Sequence, residues 1–294
     1  MKIGITGATG FIGSRVAELA FERGLQVVAY SRQASSMRSE RAEIRSFSLD
    51  QPPDLSGLDA VVNLAGESIL GLWTKEKKRR ILESRILGTR RLVEAMASLE
   101  KKPRVLVNAS AIGFYGDTGE MLVDETSPAG HGFLAEVARD WEAEAEEATA
   151  LGVRVVCIRI GFVLGKGGAL KLIGPLFRLG LGGRLGGGKQ WMSGVHVDDV
   201  AGLIVWALEN EAVRGPVNAV LPEPFRNGDF TREFARAVRR PAFLPAPAFA
   251  LRLALGEMSH LLLDSTRVSP RRAREGGYVF RFASLPSALQ DALC

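Results

Sequence analysis

Gly7, Gly10 and Gly13 recur at three-residue spacing, directly after the apolar run KIGIT and directly before an amphipathic stretch. Glycines so placed let a backbone turn tightly and lie close to a pyrophosphate, while the following helix offers unpaired N–H groups and the positive end of its dipole. Thr9, Phe11 and Ile12 belong to the same turn and are read as part of the binding segment. The next apolar run ends AYSRQ. A carboxylate there would bond an adenosine 2′-hydroxyl; Ser31 and Arg32 offer instead a hydroxyl and a charge-assisted contact to a 2′-phosphate, so NADP(H) is expected over NAD(H). Arg38 is a second candidate for that phosphate. Asp50 either bonds the adenine amino group or is a plain turn aspartate.

These residues require strands and helices in alternation to hold them. Short apolar runs at Lys2–Thr6, Gln26–Tyr30, Ile44–Phe47, Ala60–Leu64, Val105–Ala109 and Val153–Ile158 read as strands. Ile12–Arg23, Lys75–Ser98 and Leu134–Leu151 carry apolar residues at helical spacing. The alternation predicts an α/β fold of Rossmann type, a doubly wound parallel sheet covered on both faces. Glycines crowd the chain after Arg159, and prolines separate short helices from Gly215 onward. The expected division is a dinucleotide-binding domain over 1–165, rejoined by 190–214 through the strand-to-helix passage GVHVDDVAGLIVWALEN, and a smaller interleaved substrate lobe from 166–189 and 215–294. Trp191, Asn218 and Asn227 are candidates for lining that lobe.

The 294 residues are 46% hydrophobic and 24% charged, a globular balance. No apolar stretch reaches the roughly 20 residues needed to cross a bilayer, and the glycine-broken N-terminus lacks the form of a signal peptide. Two cysteines support neither a disulfide framework nor a Cys-rich metal site, and three histidines without ligand spacing argue against a metal. A cytoplasmic protein with no membrane partner is expected. The net charge of +5 is dispersed among acids, which argues against nucleic acid, and KEKKRR at 75–80 reads as a solvated helix face.

Further segments carry a resemblance: NLAGE at 63–67, LGTRRLVEAM at 87–96, NASAIGFYG at 108–116, RIGFVLG at 159–165 and VHVDDVAG at 195–202. Together with GATGFIG they resemble the extended short-chain dehydrogenase/reductases, the NAD(P)-dependent epimerase/dehydratase group. LWTKEKKRRILESR, GFLAEVARDWE and FRLGLGGRLGGGKQWMSGVHVDD narrow the likeness to a subgroup described only as epimerase family proteins. The resemblance implies that Leu64, Ala65 and Gly66, with Glu67 beside them, pass along the cofactor ribose, and that the loop from Ile160 to Val163 closes near the nicotinamide. Arg85 stands where the family commonly has asparagine; it either reaches the cofactor phosphate or ribose or is a surface arginine. Family habit allows a homo-oligomer.

Catalysis is where the chain departs from that family, whose tyrosine is activated by a lysine four residues on. The fourth residue after Tyr30 is Ala34, after Tyr115 is Gly119 and after Tyr278 is Phe282. At the pair's expected place stand Phe133 and Val137. Ser110, at the end of the fifth strand, and Tyr115 remain as candidate catalytic hydroxyls for polarising a carbonyl. Glu67, Glu136, Asp140 and His196 are further proton-transfer candidates. The expected activity is an NADP-dependent oxidoreductase or epimerase/dehydratase on an unknown small carbonyl or hydroxyl substrate; the alternative is a non-catalytic protein that senses NADP(H) or interacts under its control.

Overall fold

The computed structural model describes residues 1–36 and 39–293. The dinucleotide half runs β1 (Lys2–Thr6), α1 (Phe11–Glu22), β2 (Gln26–Ser31), β3 (Ala42–Ser46), β4 (Ala60–Asn63), α2 (Lys75–Ala97), β5 (Val105–Ala111), α3 (Phe133–Glu146) and β6 (Arg154–Ile160). There follow β7 (Phe162–Leu164), α4 (Gly168–Arg178), β8 (Trp191–Met192), β9 (Gly194–His196), α5 (Val197–Glu209), β10 (Gly215–Ala219), β11 (Phe225–Arg226) and α6 (Asn227–Val238). Short helices α7 (Ala248–Leu255), α8 (His260–Leu263) and α9 (Arg271–Glu275) precede the terminal α10 (Leu285–Leu293).

Seven strands form a parallel sheet in the order β10-β6-β5-β4-β1-β2-β3. The chain moves outward from β1 to β3 and then returns to lay β4 on the other side of β1. The carboxyl ends of β1 and β4 therefore flank the topological switch point, where open α/β sheets bind ligands. Ile3, Ile5, Val62 and Val107 turn to the α1/α5 face, whereas Val28, Val61 and Leu106 turn to the α2/α3 face. Gly4 leaves room on the second face: a Cβ there would lie 2.6 Å from Leu58 and 2.9 Å from Tyr30. Thr74 starts α2 by accepting a hydrogen bond from the Lys77 amide at 3.2 Å.

A separate apolar cluster, including Leu164, Phe177, Phe225, Phe230, Phe234 and Leu289, forms the core of the smaller lobe. The predicted boundary at Gly215 is corrected by β10, which is the seventh strand of the main sheet, paired to β6 from Gly215↔Val156 to Ala219↔Ile160. Pro216 disguises it, and an edge strand tolerates that residue because one side of its backbone has no ladder to complete. The strand expected before α5 pairs with β7 in a two-stranded ribbon instead of joining the main sheet. The long helix expected over 134–151 ends at Glu146 and tightens to a 3-10 turn over Glu147–Leu151.

Asp199, fully buried at the start of α5, fastens the C-terminal segment to the dinucleotide half. It accepts from the Arg281 amide at 2.7 Å, the Phe282 amide at 3.0 Å and the Tyr278 hydroxyl at 3.2 Å. Asp199→Ala strands these donors and is expected to cost about 3 kcal/mol, with Asp199→Asn intermediate. Denaturant unfolding checks this, and an unchanged midpoint for Asp199→Ala would contradict the anchoring role.

Candidate active site at the carboxyl edge of the sheet

The glycine turn is shaped by contacts that no side chain could share. Gly7 has φ of 68°, and a Cβ on it would lie 2.8 Å from the Leu64 carbonyl oxygen; a Cβ on Gly13 would lie 2.1 Å from the Gly7 carbonyl oxygen. Gly10 begins α1 without a side-chain cap, and the first turn holds no acid, so the helix start keeps its positive character. Thr9 and Gly10 are exposed and Ile12 is half-buried. Phe11 lies under the later glycines: a Cβ on Gly165 or Gly167 would come within 2.6 Å of its ring. The turn fits a dinucleotide pyrophosphate by three features: backbone close to the surface, open amide donors and no anion of its own.

Beneath it lies a buried polar network. Thr6 Oγ1 donates to Asn63 Oδ1 at 2.7 Å and accepts from the amides of Leu64 and Ala65, each at 3.1 Å. Asn63 Nδ2 donates to Thr89 Oγ1 at 2.9 Å and to Asn108 Oδ1 at 2.7 Å, and Trp141 Nε1 donates to the same Thr89 oxygen at 2.9 Å. The segment after β4 is thereby tied to β1, β5, α2 and α3. Sequence reasoning missed this network, although Asn63, the last residue of β4, and Asn108, within β5, pair directly in register.

Around the turn, Ser31 ends β2 with its Oγ accepting from the Gln33 amide at 3.1 Å, and Arg32 is exposed. Arg38 lies outside the described residues. Asp50 is exposed in a turn, its amide donating to Ser48 Oγ at 3.2 Å. Arg85 is not a surface arginine. Its Nη1 donates to the carbonyls of Glu67 at 3.0 Å and Ile81 at 3.2 Å, and its guanidinium lies 5.1 Å from the Trp141 ring centroid, so burial lowers its pKa to about 10. A Cβ on Gly66 would lie 3.2 Å from that guanidinium. Lys77 donates to Glu67 Oε1 at 2.7 Å and holds that carboxyl below its usual range, with Arg80 and Arg32 adding to the effect. Val163 and Leu64 are half-buried against the α1/α5 core.

Ser110 and Tyr115 fall into one chain of contacts under the sheet edge. Ser110 Oγ donates to Glu142 Oε1 at 2.6 Å, and Glu142 takes a two-point contact from Arg159 at 2.8 Å on each oxygen. Arg159 Nη1 donates to the Tyr115 hydroxyl at 2.9 Å, which in turn donates to Asn218 Oδ1 at 2.8 Å. Both hydroxyl residues are buried, and burial raises the Tyr115 pKa to about 12. The expectation that these hydroxyls face a substrate carbonyl therefore meets a different placement. Ser110 shares the pleat face of Leu106 and Asn108, toward α3, and Tyr115 is enclosed against β6 and β10.

Residues 3–219 match the profile of the NAD dependent epimerase/dehydratase family, and residues 246–292 match a domain of unknown function, DUF1731. The chain belongs to the NAD dependent epimerase/dehydratase family. It is 39% identical to the chloroplastic epimerase family protein SDR39U1 homolog of Arabidopsis thaliana, covering 99% of this chain and 86% of that protein. It is 36% identical to the epimerase family protein YfhF of Bacillus subtilis, covering 100% and 98%. The crystal structure of human epimerase family protein SDR39U1 (isoform 2) with NADPH superimposes with a TM-score of 0.91 at 32% identity, covering 100% of this chain and 99% of that one.

Against that family background, Phe133 and Val137 occupy the first two turns of α3. The Phe133 ring packs edge-on against Trp73, centroids 5.3 Å apart, with Lys78 Nζ 4.9 Å from its centroid. Lys78 also pairs with Glu257 of the smaller lobe, so an ion pair bridges the two halves beside this aromatic contact. Glu136 is exposed and Asp140 pairs with Arg139. His196 is buried at the start of α5, where its Nδ1 accepts from the Asp198 amide at 3.2 Å and burial lowers its pKa. Asn218 is enclosed in the tyrosine chain, Asn227 accepts from the Leu185 amide at 2.9 Å, and Trp191 lies between Arg226 and Arg267. Among the described residues no group of three or more His, Cys, Asp or Glu could hold a metal ion.

These partners make Ser110, Glu142, Arg159 and Tyr115 a structural unit. Arg159→Met leaves Glu142 without its cation and is expected to cost about 3–5 kcal/mol, and Tyr115→Phe about 1–2 kcal/mol. Thermal and denaturant unfolding read both; a Tyr115→Phe variant as stable as the parent would contradict the structural role.

Proposed function

We propose that this protein is an NADP(H)-dependent oxidoreductase of the epimerase/dehydratase kind, acting on a small carbonyl or hydroxyl substrate at the carboxyl edge of the sheet. The observation that carries the choice of cofactor is the end of β2, where Ser31 and the exposed Arg32 stand and no carboxylate does. The NADPH in the human relative supports the same reading. The turn from Gly7 to Gly13 would hold the pyrophosphate, Arg32 would meet the 2′-phosphate, and Leu64 to Glu67 would border the ribose. Bound there, the nicotinamide supplies or accepts a hydride.

The chain's own part in that reaction is positioning. Glu142 and Arg159 fix Ser110 and Tyr115, and with them the strand end of β5 and the turn that follows it. Phe133, in edge-on contact with Trp73, stands at the start of α3 where the family places its tyrosine. With Phe133 at the tyrosine's place and Glu67 held ionised by Lys77, the proton exchanged with substrate is assigned to water.

The same substitution favours a second reading, in which the protein binds NADP(H) and reports its redox state without turnover. NADPH oxidation across a panel of small aldehydes and ketones separates the two readings: steady consumption supports the enzyme, and none with any member supports the sensor.

Calorimetric titration of the nucleotide-free protein with NADP(H) and NAD(H) tests the cofactor choice. NADP(H) is expected to bind at least about tenfold more tightly, and Arg32→Ala to remove that advantage, as loss of a charge-assisted contact implies. Equal affinity for both nucleotides would contradict it.

A further inference from the structure

Residues 165–190 and 234–256 together contain nine lysines and arginines and no aspartate or glutamate, while the remainder of the chain has 29 basic residues against 33 acidic. The dispersal of basic residues among acids thus holds only outside these two segments of the smaller lobe, and the net positive charge resides within them. Among the described residues only Arg236 of the nine is drawn into an ion pair, with Glu233 at 3.2 Å. The basic face of α2 is different: Arg79 and Arg91 pair with Glu76, Glu83 and Glu94.

The same segments carry exposed apolar side chains on neighbouring elements. On α4, Leu170, Gly174 and Phe177 turn inward, leaving Leu172 and Leu176 outside, with Leu179 just past the helix. The following strip is joined to the chain before α7: the Leu244 amide donates to the Gly182 carbonyl at 3.3 Å, and the Ala246 amide to that of Arg184 at 2.8 Å. Leu181, Phe243 and Leu244 are exposed along this join. Gly186 then brings α7 alongside, a Cβ there lying 3.5 Å from that of Ala248. Seven of the eight residues of α7 are apolar, yet none is buried; Phe249 is 73% and Leu253 87% exposed. Apolar tracts of this extent, bordered by polar groups, mark interaction sites.

We propose that this face of the smaller lobe docks on the surface of an anionic lipid bilayer. Pairing with a second copy would bring two uncompensated cationic faces together, since a two-fold contact apposes the same patch on both partners. An anionic bilayer meets both halves of the pattern, taking protruding Leu and Phe tips at the headgroup boundary and pairing headgroups with the surrounding Lys and Arg. Crossing a bilayer needs a long apolar helix, and no helix among the described residues qualifies; lying on one needs only a face.

Co-sedimentation of the full chain with vesicles of phosphatidylcholine alone, or with added phosphatidylglycerol, tests the proposal at low and high salt. Partition is expected to be at least about tenfold greater on the phosphatidylglycerol vesicles at low salt and to weaken at high salt. Phe249→Asp/Leu253→Asp and Arg239→Glu/Arg240→Glu are each expected to reduce it by about tenfold. Both pairs lie on exposed positions, and an unchanged unfolding midpoint and nucleotide affinity establish that each variant is folded. The proposal is overturned by no binding to either vesicle, by equal binding to both, or by folded variants that bind like the parent. It is also overturned if sedimentation velocity shows a dimer that Phe249→Asp/Leu253→Asp disperses.

Discussion

The side chain of Asn63 is the constraint on which the site depends. It is buried at the end of β4, where an unpaired amide would be costly, and its partners lie on three other elements: Thr6 on β1, Thr89 on α2 and Asn108 on β5. Thr6 passes the constraint onward by accepting the Leu64 and Ala65 amides. The segment that closes over Gly7 is thus held from below, and the Leu64 carbonyl sits where only a glycine at position 7 can pass. Sheet order, glycine turn and the segment after β4 depend on one another through a few hydrogen bonds.

The local parts of this arrangement were legible in the sequence. Strands β1 to β6, the helices α1 and α2, and the turn at Gly7, Gly10 and Gly13 are encoded within short windows by apolar spacing and by residues without a Cβ. What escaped were relations across the sheet. Ser110 and Tyr115 lie only five residues apart, and nothing local shows that Glu142 and Arg159, from α3 and β6, reach both of them. The pleat decides which way Ser110 points, and register decides that β10 closes the edge. Arg85 escaped for a related reason: a basic helix suggests solvent, while its guanidinium lies under Gly66 beside the ring of Trp141.

The two halves of the molecule answer different demands. In the dinucleotide half, Thr6, Asn63, Thr89 and Asn108 pair with one another beneath the glycine turn, and Arg79 and Arg91 on α2 are matched by neighbouring acids. The smaller lobe has its own aromatic core, with Phe234 in ring contact with both Phe177 and Phe230, yet over 165–190 and 239–256 it presents apolar side chains and cations that no ion pair among the described residues engages. Asp199 holds the C-terminal segment to α5, and the Lys78–Glu257 pair bridges the halves beside Phe133 and Trp73. The proposed cofactor site and the proposed docking face therefore rest on separate residues.

The central claim is that a dinucleotide lies across the carboxyl ends of β1, β2 and β4. Amide hydrogen exchange followed by mass spectrometry, with and without saturating NADPH, tests it most directly. Slowed exchange concentrated in residues 7–13, 31–33 and 64–67, with little change over α7, is the result predicted. Unchanged exchange at the glycine turn, or protection confined to the smaller lobe, would contradict the account.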